Sequence, residues 1–412
     1  MRRAILAPVY LLLASALSAQ VASPDMYLME TASGTSRNPE VRSLPMLMQP
    51  EGSWTLMLMG QAFVVDTQQS GPRGGDKLYS TNWFMIGAEH PFAGGTLMLE
   101  TMLSLEPATI ASRRYPELFQ TGETAYGIPI VDGQHPHNFV MGLGVHYAHK
   151  LGESALLHLY YAPVGDPALG PVAYPHRASA AELPESTIGH HWEDSTHISD
   201  NVVTAELRYK KVSIESSGFY GRESGENRWT IESGPMDSYS ARFNVYPAKN
   251  WSAQVSAGRI AHPEPDQPGD VVRTTASVSY TRPRPGGAWA SSLIWGRNHE
   301  TLTGRNLNAY LLESVYPVRR KNFVTGRIEL VDKDELFDDQ PALEESLDRT
   351  AGSTFRVQAY TIGYTRDIWQ YRDAETGLGM NVTAYAIPSA IQPYYGDHPW
   401  GVNLFLRVRL GP

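Results

Sequence analysis

The sequence predicts an all-β chain closed into an antiparallel transmembrane β-barrel of about sixteen strands. Three observations predict it. Apolar and polar residues alternate with period two along most of the chain, and the connections alternate short and long. The N-terminus is of the export type, and no later apolar run approaches the ~20 residues of a membrane helix. Composition agrees: 42% hydrophobic, 10% aromatic and only 19% charged residues are too apolar for disorder. With 34 Lys+Arg against 43 Asp+Glu, the chain lacks the basic surface of a nucleic-acid binder, so no nucleic-acid partner is expected. The absence of cysteine removes disulfides, thiolate metal sites and cysteine nucleophiles together.

In chain order, Arg2 and Arg3 precede an apolar run from Ala4 to Ala14 and small residues through Ala19, a secretory signal over 1–19. Residues 20–52 are expected as a periplasmic N-terminal extension and 53–412 as the barrel. Strands are expected over 53–66, 79–90, 95–106, 138–149, 154–162, 201–211, 212–222, 237–247, 250–260, 271–282, 287–297, 307–318, 321–332, 354–367, 377–387 and 399–410. The last is the clearest: Val402, Leu404, Leu406, Val408 and Leu410 alternate with Asn403, Phe405, Arg407 and Arg409. Neighbouring side chains on a strand point to opposite faces, so each segment has one apolar and one polar face. Alternation alone leaves open which face meets solvent, but the connections decide. Those at 91–94, 152–153, 247–249 and 319–320 are short, whereas 107–137, 163–200, 223–236 and 333–353 are long. A soluble sandwich has no reason to sort loops by parity; a membrane barrel has tight turns on one side and long loops on the other. Trp54, Trp83, Tyr147, Tyr161, Tyr209, Trp251, Tyr280, Trp289, Trp295 and Trp400 fall near strand ends or on apolar faces, where aromatic girdles form.

Taken together, these features resemble bacterial outer-membrane porin-type β-barrels, as do the stretches Gly170-Pro171-Val172-Ala173 and Gly189-His190-His191-Trp192-Glu193-Asp194-Ser195-Thr196-His197. The resemblance covers about 53–412 and rests on periodicities. It implies the outer membrane as location, lipid and the barrel insertion machinery as partners, and a homo-oligomer as one assembly. A sixteen-stranded lumen is too wide for side chains to fill, so a passive, non-enzymatic channel for small hydrophilic solutes or ions is expected. The expected lining is Glu206, Arg208, Arg242, Arg273, Arg356, Arg407 and Arg409, with Glu100, Glu106 and Gln358 as further lumen positions. Loop 163–200 is expected to narrow the mouth, because its length exceeds ordinary connections. The alternative is a structural or adhesive barrel without transport.

Two constellations carry chemistry. His135 and His137 end one long loop, while His176, His190, His191 and His197 lie in the other, beside Glu193 and Asp194. The two loops flank one hairpin and emerge on one side. Imidazole and carboxylate together suit Zn or Cu(II), so His135, His137, His190, His191, His197 and Glu193 are the candidate ligands for a divalent metal. Met26, Met29, Met46, Met48, Met57 and Met59 are candidate soft ligands. Separately, His197 and Ser199 share parity with Val203, Ala205 and Leu207. That places a His-x-Ser pair on the lipid face, similar to outer-membrane lipid hydrolases in which His activates Ser.

Overall fold

The computed structural model describes residues 21–41, 45–264 and 269–411; the expected signal segment lies outside the described residues. Sixteen strands form the wall: β1 (Trp54–Gln69), β2 (Asp76–Phe92), β3 (Gly95–Leu103), β4 (Val140–Leu151), β5 (Ala155–Gly165), β6 (Ser199–Tyr209), β7 (Val212–Tyr220) and β8 (Ser238–Ala248), then β9 (Trp251–Ile260), β10 (Val271–Arg284), β11 (Gly287–Glu300), β12 (Asn306–Val318), β13 (Asn322–Lys333), β14 (Phe355–Tyr371), β15 (Ala374–Ala386) and β16 (Trp400–Leu410). Each pairs antiparallel with the next, and β16 closes on β1 in a ladder from Gly401 opposite Gln69 to Leu410 opposite Gly60. Closure satisfies the backbone groups that an open edge would leave bare in lipid. The expected segments match one for one, with ends displaced by a few residues.

One rim carries only two- or three-residue turns, such as 93–94, 210–211 and 285–286. There Gly286 has φ +88, and a Cβ would lie 2.2 Å from Arg320 backbone, so glycine is required. The other rim carries the long connections 104–139, 166–198, 221–237 and 334–354. Among the described residues no helix is long and apolar enough to cross a membrane. The strands do so instead: Val64, Ile86, Leu207, Ile214, Leu293, Ile362 and Leu404 all project outward and exposed. An apolar belt of this extent calls for lipid rather than water. At the short-turn rim, Trp251, Tyr280, Trp289 and Tyr316 follow one another at 4.6, 5.1 and 5.9 Å between ring centroids, an amphipathic girdle. Trp83 is not part of such a girdle. It points inward and meets His176 edge-on at 4.4 Å.

Candidate functional site

The candidate site is the lumen, and it is full. Two segments fill it from opposite rims. Segment 21–41, expected outside the barrel, lies against inward-facing side chains. It begins at the short-turn rim, where Val21 N–H donates to the Glu153 carbonyl, and returns there, where Val41 N–H donates to the Lys249 carbonyl. Between them the chain reverses in a small hairpin, Thr31–Ser33 with Ser36–Arg37. Tyr27 donates to Glu206 of β6 and lies 3.2 Å from His158 of β5. Burial, then the Glu206 charge, lifts the Tyr27 phenol well above its ordinary range, so it remains a donor. Arg37 pairs with Glu30 and lies 4.1 Å over the Tyr27 ring. At the hairpin apex, Arg242 of β8 donates to Thr35 at 2.7 Å. Val21 and Leu28 pack with Met57 and Met98, and Met46 with Met59, Met85, Met102 and Met141. These methionines therefore pack as core, while Met26 and Met48 are exposed.

Loop 166–198 enters from the long-loop rim and touches most of the wall. Ala168 N–H donates to Ser217 of β7 at 2.8 Å and Gly170 N–H to Ser256 of β9 at 2.9 Å. Arg177 donates to Glu313 of β12 at 2.6 Å, and the same carboxylate accepts Ser179 at 2.8 Å and Arg327 of β13 at 3.1 Å. Farther round, Glu182 pairs with Arg407 of β16, Asn381 of β15 donates to Glu185 at 2.8 Å, and Ile188 N–H donates to Glu329 of β13 at 2.7 Å. Ile188 and Trp192 then join Leu118, Phe119, Leu307 and Ala309 in an apolar cluster that caps the long-loop end. Arg407 and Glu313 are 0% exposed, which a water-filled pore would not permit. Lumenal cavities beside Gln61 and Thr81, and beside Arg37 and Arg242, hold about 30 and 20 Å³, enough for isolated waters.

Of the expected lining, Glu206, Arg208, Arg242, Arg273, Arg407 and Arg409 face inward, each against a partner. Arg208 donates to Glu40 at 3.3 Å, Arg273 to Ser195 at 2.9 Å, and Arg409 to Glu182 at 3.2 Å and Glu375 at 2.7 Å. Glu100 is also inward, accepting from Tyr160 at 3.2 Å. Arg356 is not lining. It faces outward and pairs with Asp332 at 2.5 Å, because at this end Val357 and Ala359 turn inward to pack on the loop cluster. Gln358 shares the outward parity of Arg356, and Glu106 lies in the loop helix Glu106–Thr109, not on a strand. Glu313, Arg327, Glu329 and Glu215 were missed, although the first three interrupt apolar or small-residue inward runs on β12 and β13, a signal readable in the sequence.

The histidines do converge. Ring centroids run His135 to His191 at 6.1 Å, His191 to His190 at 5.4 Å, His190 to His197 at 5.3 Å and His197 to His137 at 5.4 Å. Burial pulls His135, His190, His191 and His197 below the ordinary imidazole range. Most are already engaged within the protein. His190 meets Asp194 at 2.5 Å, His137 meets Glu106 at 2.9 Å, and His197 meets the Asp194 carbonyl at 2.9 Å. Burial alone would raise the Asp194 carboxyl, but His190 and then Arg177 outweigh it and hold the group below the usual range. Glu193 is not among the rings: its carboxylate lies 3.5 Å from Thr187. The carboxylates that approach His191 are Glu264, 3.0 Å from its Nδ1, and Glu223, 3.8 Å away. Neither was singled out, because irregular loops carry no periodicity to align them.

His197 and Ser199 form no catalytic pair. A bulge at Asn201, φ +51, shifts the register of β6 against β7 between Asp200 and Val203, and strict alternation ends there: Ser199 and Asp200 are both buried. Ser199 is buried and donates to the Thr196 carbonyl at 2.8 Å, so neither residue reaches the lipid face.

No family model and no curated protein matches the sequence. Solved structures do match in fold. An anion-selective porin from Comamonas acidovorans superposes with TM-score 0.53 at 13% identity, covering 87% of this chain and 100% of that one. OprB from Pseudomonas putida gives 0.52 at 9% identity, covering 87% and 94%. OmpF from Salmonella typhi gives 0.51 at 10% identity, covering 88% and 100%. The chain is a transmembrane β-barrel with the fold of outer-membrane porins.

Proposed function

We propose that the protein is an outer-membrane channel of porin type that passes small hydrophilic solutes or ions passively, with the conformation described here its closed one. One observation carries the reading: the charged inner wall is met by polar side chains of two insertable segments, not by a continuous apolar core. Removing both segments would leave a charge-lined aqueous lumen, which a sixteen-stranded wall is wide enough to hold. Loop 166–198 is then the constriction and segment 21–41 a second barrier. Lipid surrounds the outward belt, and a homo-oligomer is compatible with it. The complete burial of Arg407 and Glu313 favours the second reading, a structural barrel without transport.

Single-channel recording in planar bilayers separates the two. Wild type is expected to show small or intermittent conductance, and deletion of 21–41 or of 172–190 to raise it several-fold. No current from either deletion, with both proteins folded, leaves the structural reading.

A further inference from the structure

We propose that His191, Glu223 and Glu264 form a binding site for one borderline divalent cation of the Zn²⁺ or Cu²⁺ class, stapling three long-rim loops together. His191 comes from loop 166–198, Glu223 from 221–237 and Glu264 from the connection after β9. One ligand atom from each lies within 4.8 Å of the other two. Three ligands at ~2.1 Å in tetrahedral geometry stand about 3.4 Å apart, so closure by roughly an ångström of side-chain movement completes the set. One imidazole and two carboxylates are the donors such an ion takes, leaving a position for water.

Three further observations bear on the site. The two carboxylates share one imidazole, and the nearby cations are already engaged. Arg273 donates to Ser195, to Asn298 and to the His191 carbonyl, while Lys333 donates to Thr121 and lies 4.4 Å over the Trp192 ring. The ring is also tightly placed. Gly122, φ +118, passes so close that a Cβ would lie 2.4 Å from His191 Cε1, and His191 Nε2 is buried with no protein partner. The surroundings hold the acid as well, for Glu123 N–H donates to Glu264 Oε2 at 3.3 Å, the kind of outer contact that orients ligands.

The site stands independently of the channel reading, since a staple between loops needs no conductance. The full chain in detergent, stripped by chelator, is titrated calorimetrically with ZnCl₂. One ion per chain is expected, with affinity weakened about tenfold or more in Glu264→Gln and in Glu223→Gln and unchanged in the exposed control His262→Ala. Equal binding by wild type and both glutamine variants would overturn the site, and CaCl₂ binding as tightly as ZnCl₂ would overturn the assigned class. Should the variants not fold, Cu²⁺ bound to wild type reports directly. Electron paramagnetic resonance is expected to show coupling to imidazole nitrogen, and its absence also overturns the site.

Discussion

Loop 166–198 and segment 21–41 occupy one lumen but are held in it by different forces. The loop is fixed by buried ion pairs, Arg177 with Glu313 and Glu182 with Arg407, and by a terminal apolar cluster. The segment is held by Tyr27 donating to Glu206, by Arg208 pairing at 3.3 Å with Glu40, whose side chain is a quarter exposed, and by Arg37 lying 5.1 Å over the Tyr246 ring. Ion pairs in low dielectric specify one register, because a displaced partner leaves a bare charge. Stacking over apolar surface tolerates small slides. The difference teaches that the loop is the fixed half of the lumen and the segment the adjustable half.

The largest expected effect tests the fixed half. Glu313→Gln leaves Arg177 and Arg327 facing a neutral amide and is expected to cost about 3–5 kcal/mol in denaturant unfolding. A loss below about 1 kcal/mol would break the comparison. The outer wall supplies a control of known sign: Leu293→Arg, on the lipid side, is expected to cost about 2–4 kcal/mol in lipid vesicles and to leave conductance per inserted channel unchanged. For the adjustable half, Tyr27→Phe removes the phenol donor to the buried Glu206 carboxylate, which keeps only His158 at 3.2 Å. About 1–3 kcal/mol is expected, read best as faster proteolysis of 21–41 with the barrel intact.

The smallest effect concerns pH. Burial lowers His176 to about 3 from its ordinary 6.5. Between those values the unfolded or displaced state binds more protons, so the stability present above pH 6.5 is lost as pH falls toward 3. Because Asn38 of the segment donates to the His176 carbonyl, acidification should loosen both halves at once. Conductance that rises below pH 6 in wild type but not in His176→Gln would sharpen this, and identical profiles would refute it.

The wall was legible because lipid and lumen impose strict alternation, and β16 shows it residue by residue. The filling was not. Period two reports two environments but cannot say whether the inner one is water, a loop or an N-terminal segment. Arg356 was misplaced for that reason: β14 turns its apolar face inward where loops make a core, so the rule that polar means lumen inverts. Ser199 was misplaced because alternation does not extend past the bulge at Asn201, beyond which Ser199 and Asp200 are both buried. The histidines were found because residue type marks them, whereas Glu223 and Glu264 meet His191 only through loop paths that no local pattern encodes.

Both ends of segment 21–41 leave the lumen by the rim of short turns, and its hairpin reaches only to Thr35. It is therefore inserted without being threaded, and a pull from that side can withdraw it as a folded loop while every wall ladder stays closed. Loop 166–198 has both ends on the opposite rim, and loop and segment meet inside, where Asn38 donates to the His176 carbonyl and Thr35 to the Asp166 carbonyl. On the channel reading proposed above, the two compartments separated by the barrel each hold the handle of one stopper, and the lumen opens fully only when both have let go.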